Sequence, residues 1–272
     1  MNYLIGADPE LFIFRKDTNQ FVSSHDSGLK GDKINPFPVT DGATQIDGVS
    51  AEFNILPCAS EQEFVGRIRT VKGAISAQIT EKHPDWNFEL RAEPVAHFEP
   101  TYFESLPEDT KALGCTPDYN AYTGDQNDPP YTAEPFRTGS GHVHVGYDLP
   151  TQLAEYDVMA RVKQLDYILF PISLLFDDNQ KRRSLYGMPG AFRYKPYGFE
   201  YRVLSNRWVD DEELQRWVYR TTLHAMDLFD RGIELFETDA PPLLEYTREE
   251  LHSYLTILED QYGFPPFPIK FL

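Results

Sequence analysis

Two histidines stand two residues apart in GHVHVG, residues 141–146, a stretch of strand-favouring valines bounded by glycines. Read as a β-strand, that spacing puts His142 and His144 on one face. Neighbouring neutral imidazoles can ligate a divalent metal, and their N–H groups can donate to phosphate. The flanking glycines allow a second strand or a ligand to approach without meeting a Cβ. Carboxylates recur at the same kind of spacing. Asp8 and Glu10 share a face if YLIGADPELFIF (3–14) is extended, and Glu52 lies with Ser50 and Asn54 on the polar face of QIDGVSAEFNILP (45–57). Glu200 and Arg202 share a face of GFEYRVLS, with Arg182, Arg183 and Arg193 just upstream, and Arg137 leads directly into the histidine strand. A hard cation such as Mg²⁺ takes carboxylate and phosphate oxygens and keeps waters, while guanidiniums grip phosphate by paired hydrogen bonds. Three or more acids with one or two imidazoles and several arginines therefore suit a nucleoside triphosphate held through metal ions better than a closed zinc centre. Each group also has an ordinary use. Asp8 can open a turn with Glu10 in solvent, Glu52 can be a solvated strand residue, Glu200 and Arg202 can pair across strands, and strand histidines can bond to their neighbours. The weight lies in the recurrence.

These side chains need a sheet to bring them together, and the chain has the material for one. At 272 residues it can build a sizeable core without staples, and 19 Phe, 16 Tyr and 3 Trp mark it as folded. Pro9 suits a strand start or an edge. FVSS (21–24) reads as a returning strand, and residues 25–42 as a long polar loop of the kind that forms lids. Ser60 and Glu63 form a capping-box pattern ahead of Phe64, Ile68, Val71, Ile75 and Ile79 at helical spacing. Residues 86–98 begin as a strand and break at Pro94; 99–135 is turn-rich, with Asp118, Asn120 and Tyr122 clustered. Helices are expected over 150–176, with Leu153, Val158, Val162, Leu165, Ile168 and Leu169 as core stripe, and over 210–237 and 247–260. His224 and His252 fall on the last two, without partners at ligand spacing. No linker or repeat divides the chain, so one domain over 1–272 is expected.

Charge and cysteines narrow the partners. With 43 acidic against 25 basic residues the formal charge is -18, which repels nucleic-acid backbones and anionic membranes unless basic residues gather locally. Two cysteines, Cys58 and Cys115, make neither a disulfide framework nor a thiolate zinc site. MNYLIGADPE has no basic region leading into an apolar one, and no apolar run reaches the roughly 18 residues of a membrane span. The expected setting is a reducing cytoplasm, that of a host if the chain is phage-encoded. Neither a Walker loop nor a Rossmann fingerprint is present, so metal and arginine must grip any nucleotide.

Taken in order, GADPELF, SAEFNILP, GCTPDYNAYTG, FRTGSGHVHVG and RRSLYGMPGAFRYKPYGFEYRVLSN resemble the phage-type carboxylate-amine ligase family, which is grouped with glutamine synthetase and glutamate-cysteine ligase. The resemblance runs from about residue 6 to 206, leaving the final helices (210–260) outside. It implies an α+β fold, a curved antiparallel sheet whose concave face holds ATP and Mg²⁺ (or Mn²⁺) and whose convex face carries the helices. It also implies a reaction in which the γ-phosphate passes to a substrate carboxylate and an amine displaces it from the acyl phosphate, leaving an amide or peptide bond. The substrates would be small molecules or peptides bearing a carboxylate and an amine. Asp8, Glu10, Glu52, His142, His144 and Glu200 become the expected metal ligands, Asp8 being a shorter acid than the family pattern has there. Glu52, Arg193 and Arg202 become the catalytic group, and Arg137, His144, Arg182, Arg183, Arg193 and Arg202 the nucleotide contacts. On this reading Glu52→Gln and Arg202→Ala stop metal-dependent ATP turnover and leave the fold intact. Two other readings compete: a metal-dependent hydrolase, which needs further His and Asp ligands later in the chain, and a non-catalytic phage protein that keeps the ligase fold.

Overall fold

The computed structural model describes residues 2–111, 118–128, 132–147, 155–177, 179–236, 241–242 and 244–272. Cys115 and Leu153 lie outside the described residues. The strands are β1 (Tyr3–Arg15), β2 (Gln20–Val22), β3 (Phe37–Val39), β4 (Gly42–Asp47), β5 (Ser50–Ile55), β6 (Phe88–Arg91), β7 (Val95–His97), β8 (Tyr119–Asn120), β9 (Phe136–Thr138), β10 (Gly141–Tyr147), β11 (Ala191–Lys195) and β12 (Gly198–Tyr201). The helices are α1 (Glu61–Lys82), α2 (Pro100–Ser105), α3 (Glu108–Lys111), α4 (Glu155–Ser173), α5 (Gln180–Arg183), α6 (Glu212–Asp230) and α7 (Arg248–Tyr262). Among the described residues, ten strands make one sheet in the order β3-β4-β5-β1-β10-β12-β11-β8, with β2 and β6 also on β1, while β7 and β9 form a separate pair. Every pairing is antiparallel, and the sheet does not close into a barrel. The architecture is α+β. No helix among the described residues is long and apolar enough to cross a membrane.

β1 is the strand from which the rest of the sheet is built. Its first half pairs with β10, Glu10 and Leu11 pair with β5, and its last residues pair with β2 and β6. Pro9, expected at a strand start or an edge, sits in the middle of this central strand. The ladder shows why it is tolerated. Glu10 N–H donates to Ser140 on the β10 side (2.8 Å), whereas Ile5 N–H donates to Cys58 on the other side (3.0 Å). By alternation the ring nitrogen of Pro9 faces that second side, in the gap between the Ile5–Cys58 bridge and the Glu10–Glu52 pair, where β1 and β5 are not paired. The missing donor therefore breaks no ladder bond.

Alternation gives the sheet two unlike faces. Ile5, Ala7, Leu11, Ala51, Phe53, Val143, Val145, Phe199 and Tyr201 all enter one buried cluster. That face is covered by α1, α4 and α6, which pack on β5, on β12 and on β1 respectively. The helix starts follow the expected capping. Ser60 Oγ accepts from Glu63 N–H (3.2 Å), although the Glu63 carboxylate answers Ala59 N–H (2.8 Å) and not that of Ser60. Phe64, Ile68, Val71, Ile75 and Ile79 of α1 are fully buried, and Phe64 stacks on Trp208 at 5.7 Å. Pro94 separates β6 from β7, as its lack of an N–H requires. The segment 25–42 is less open than its polarity suggests, since it contains β3 and starts from a single 3₁₀ turn, Ser24–Asp26.

Candidate active site

The face turned away from the helices carries the acids and imidazoles, and strand register sets them in rows. Gln45, Glu52 and Glu10 lie across β4, β5 and β1; Asp8 faces His142 across β1 and β10; His144, Glu200 and Arg193 lie across β10, β12 and β11. A cleft of about 1240 Å³ runs over these rows, lined by Asp8, Glu10, Glu52, His142, His144 and Arg193, among others. Residues separated by nearly two hundred positions thus share one wall.

Asp8 is the meeting point. Its Oδ1 lies 3.1 Å from His142 Nδ1 and 3.0 Å from His144 Nε2. Glu200 Oε1 lies 3.3 Å from His142 Nδ1, and Asp8, His144 and Glu200 each offer a ligand atom within 4.8 Å of the others. Ligands at about 2.1 Å around a six-coordinate ion lie roughly 3–4 Å from one another, so this donor set fits Mg²⁺ or Mn²⁺. The outer nitrogens of both imidazoles meet tyrosine hydroxyls: His142 Nε2 that of Tyr186 at 3.0 Å, and His144 Nδ1 that of Tyr197. Such outer contacts orient metal-binding histidines.

Charge divides the wall into two groups. Burial raises the Asp8 carboxyl, but His144 and His142 more than reverse this and hold it well below the usual range. Burial and Asp8 push Glu200 up, and Arg202 with the two imidazoles brings it down to about 2. Glu10 and Glu52 behave in the opposite way. Burial, then the charge of Asp47, lifts Glu10 to about 8, and burial with Asp8, Asp47 and Glu10 lifts Glu52 well above its ordinary value. Crowded carboxyls of this kind are relieved by a bound cation. The consequence for pH has a definite sign. The folded chain holds a proton on Glu10 that the unfolded chain has released above about 4.5, so this group's share of cation-free stability falls as pH rises from there through about 8. A cation bound beside Glu10 would have to displace that proton. Mn²⁺ affinity is expected to rise up to about tenfold per pH unit between 6 and 8 and then level off. Calorimetry in buffers of differing ionisation heat reads the proton release, and a pH-independent affinity would refute it.

The arginines do not share one role. Arg193, with its side chain 23% exposed, lines the cleft 3.8 Å from Glu200 Oε1. Arg202 also touches the cleft but is only 2% exposed; it donates from Nε to Asp118 Oδ2 (3.1 Å), from Nη1 to Glu200 and from Nη2 to Tyr186. Arg182, Arg183 and Arg137, expected at a nucleotide, are placed elsewhere. Arg182 is fully buried and donates to the carbonyls of Gly139, Val203 and Leu204 at 2.9–3.1 Å. Arg183 bonds the Asp177 carbonyl and lies over Phe170, and Arg137 bonds the carbonyls of Glu134 and Phe136 and lies over Phe103. Each satisfies buried backbone, which a donor-only side chain with five N–H groups does well. His224, as expected, is structural: its Nε2 meets the Tyr262 carbonyl at 2.7 Å.

Several wall residues escaped the sequence reading. Lys195 Nζ lies 2.7 Å from Glu200 Oε2, with the side chain 26% exposed, so it is as accessible as Arg193. Its position two residues after Arg193 on β11 was the available signal. Asp47 and Lys33, ion-paired at 2.8 Å, enter the cleft from the end of β4 and from the 25–42 loop. Tyr186 and Tyr197 carry no spacing signal at all.

Residues 130–234 match the family described as phage phiEco32-like COOH.NH2 ligase-type 2. That segment, less than half of the chain, is similar to the phage-type carboxylate-amine ligases. A comparison with curated proteins gave no match. The matched segment carries β10, β11 and β12, hence His142, His144, Arg193, Lys195, Glu200 and Arg202, together with α4 and α6 behind them. Asp8, Glu10 and Glu52 come from strands outside the match, and register with β10 and with one another brings them to the same wall.

Proposed function

We propose that this chain is a ligase that uses ATP and a divalent cation, Mg²⁺ or Mn²⁺, to join a carboxylate to an amine through an acyl phosphate. The sheet would correspond to the catalytic fold of glutamine synthetase and glutamate-cysteine ligase. The observation that carries the reading is the convergence of Asp8, Glu10, Glu52, His142, His144 and, buried beneath the cleft, Glu200 on one face of the sheet, with accessible Arg193 and Lys195 beside them. The ligase family match supports the same chemistry. Phosphoryl transfer to a carboxylate asks for alignment and neutralisation of oxygen charge and for little covalent help. A bound cation would supply part of that neutralisation. Asp8, Glu200 and the imidazoles would hold it at one end of the wall, and Glu10 and Glu52 would take a second cationic group once they have lost their protons. Arg193 and Lys195 would meet phosphate oxygens from the β11 side, while Arg202 keeps Glu200 ionised and in place. Substrates would be small molecules or peptides that offer the two reacting groups.

Incubating the protein with Mg²⁺, ATP and cell extract, and searching by mass spectrometry for condensation products that lack one water, tests the reaction directly. ADP and phosphate are expected with the product. Glu52→Gln is expected to lower cation-dependent ATP turnover by about 10²-fold with an unchanged melting temperature. Titration with Mg²⁺ and ATP that shows no mutual enhancement would instead indicate a binding scaffold, and cation uptake with water-dependent cleavage would indicate a hydrolase.

A further inference from the structure

We propose that Tyr186 is a positioning residue, coupling Arg202 to the imidazole of His142 and so fixing the aim of that ring at Asp8 and Glu200. The inference rests on the cation site described above and not on the identity of the ligase substrates. The Tyr186 side chain is buried, and its hydroxyl lies between two groups: Arg202 donates to it from Nη2, and His142 Nε2 lies 3.0 Å away. The other nitrogen of the same ring, Nδ1, is the one that faces Asp8 Oδ1 at 3.1 Å and Glu200 Oε1 at 3.3 Å. An imidazole pinned at Nε2 can present Nδ1 in only one direction. The hydroxyl therefore holds the ring from its outer side, with Arg202 Nη1 3.5 Å from the inner nitrogen.

The turn that presents Tyr186 is itself rigid. Its N–H donates to the Arg182 carbonyl at 2.8 Å, and Arg182 in turn ties down the carbonyls of Gly139, Val203 and Leu204. Gly187, next in the chain, has φ +73°, and a Cβ there would meet Arg182 Nη1 at 2.4 Å and Val203 O at 2.7 Å. Arg182, expected from the sequence to hold phosphate, instead forms the footing of this turn. The tyrosine ring also lies against both guanidiniums, 5.7 Å from that of Arg182 and 5.5 Å from that of Arg202. A phenylalanine keeps this packing and removes the hydroxyl between Arg202 and His142 Nε2, while the direct approach of Arg202 Nη1 to His142 Nδ1, 3.5 Å, stays in place.

The test compares Mn²⁺ binding, by electron paramagnetic resonance titration, in the parent chain, Tyr186→Phe, His142→Gln and the double variant. Tyr186→Phe is expected to weaken Mn²⁺ about tenfold, the low end for an outer contact of a metal-binding histidine. Because Tyr186 acts through His142, the double variant should bind no more weakly than His142→Gln alone. Losses that multiply, or a Tyr186→Phe that binds as the parent does, overturn the proposal, whatever happens to the melting temperature. A parent chain that takes up no Mn²⁺ overturns the cation reading itself, and this inference with it. If His142→Gln does not fold, ring ¹⁵N spectra of Tyr186→Phe decide. The His142 nitrogens should move while those of His144 stay in place, and an unmoved His142 overturns the proposal.

Discussion

Arg202→Ala lowers the free energy of unfolding by about 3–5 kcal/mol, as read by urea denaturation without any ligand. The guanidinium is almost wholly buried and donates to Asp118, Glu200 and Tyr186, and the last two side chains are buried with it. Its loss leaves Glu200, fully buried, without the main positive charge that holds its carboxyl near 2. Lys195, Arg193 and His142 still face that carboxylate, but a buried network that loses its central donor, and with it a partner of Asp118, weakens the fold. A domain of ordinary stability, about 5–15 kcal/mol, would survive this with a much lower urea midpoint. The sequence reading had Arg202→Ala stop turnover with the fold intact. The buried geometry adds a loss of stability to the expected loss of turnover. An unchanged midpoint would show that the contacts drawn for Arg202 are not made.

Asp8→Asn is the substitution with the largest expected effect on function. Asparagine keeps the shape of the side chain and removes the charge that both imidazoles face at 3.0–3.1 Å. Mn²⁺ affinity should fall at least about tenfold, and cation-dependent ATP turnover by about 10²–10³-fold. The variant also carries a stability signature with a fixed sign. Asp8 is depressed in the folded chain, so its contribution is present above the ordinary carboxylate range and disappears as pH falls through the folded value. The gap in melting temperature between the parent and Asp8→Asn should therefore be widest near neutrality and close in acid. Equal Mn²⁺ titration curves for the two proteins would remove Asp8 from the site.

Which parts of this wall could be read in advance follows from the physics of each signal. His142 with His144, Asp8 with Glu10, and Glu52 with its polar neighbours were legible because a strand's period of two fixes the face without knowledge of the partner strand. The helix α1 was legible for the same reason at a period of 3.6. What no local period conveys is which face meets which neighbour across a hundred residues. The arginines show this best. Arg182, Arg183 and Arg193 look alike in RRSLYGMPGAFR, yet the short helix α5 turns the first two inward to backbone carbonyls, and only Arg193, on β11, lines the cleft. Lys195 was passed over although it shares the face of Arg193, and Tyr186 had no signal because its partners, His142 and Arg202, are remote in sequence. Pro9 was misplaced for a related reason: whether a central strand tolerates proline depends on a gap in the ladder that only the partner strand reveals.

The way β1 is paired also sets the order in which the protein can be made. Its register with β10 joins Tyr3 to Tyr147 and Pro9 to Gly141, so the strand leaves the ribosome more than a hundred residues ahead of its main partner. At about 5–20 residues per second, that is roughly 7–30 seconds in which one edge of an apolar strand is uncovered. During that interval only β2, β5 and β6 can shield it. A site assembled from strands so far apart in the chain is therefore expected to make the yield of folded protein sensitive to translation speed between residues 55 and 147.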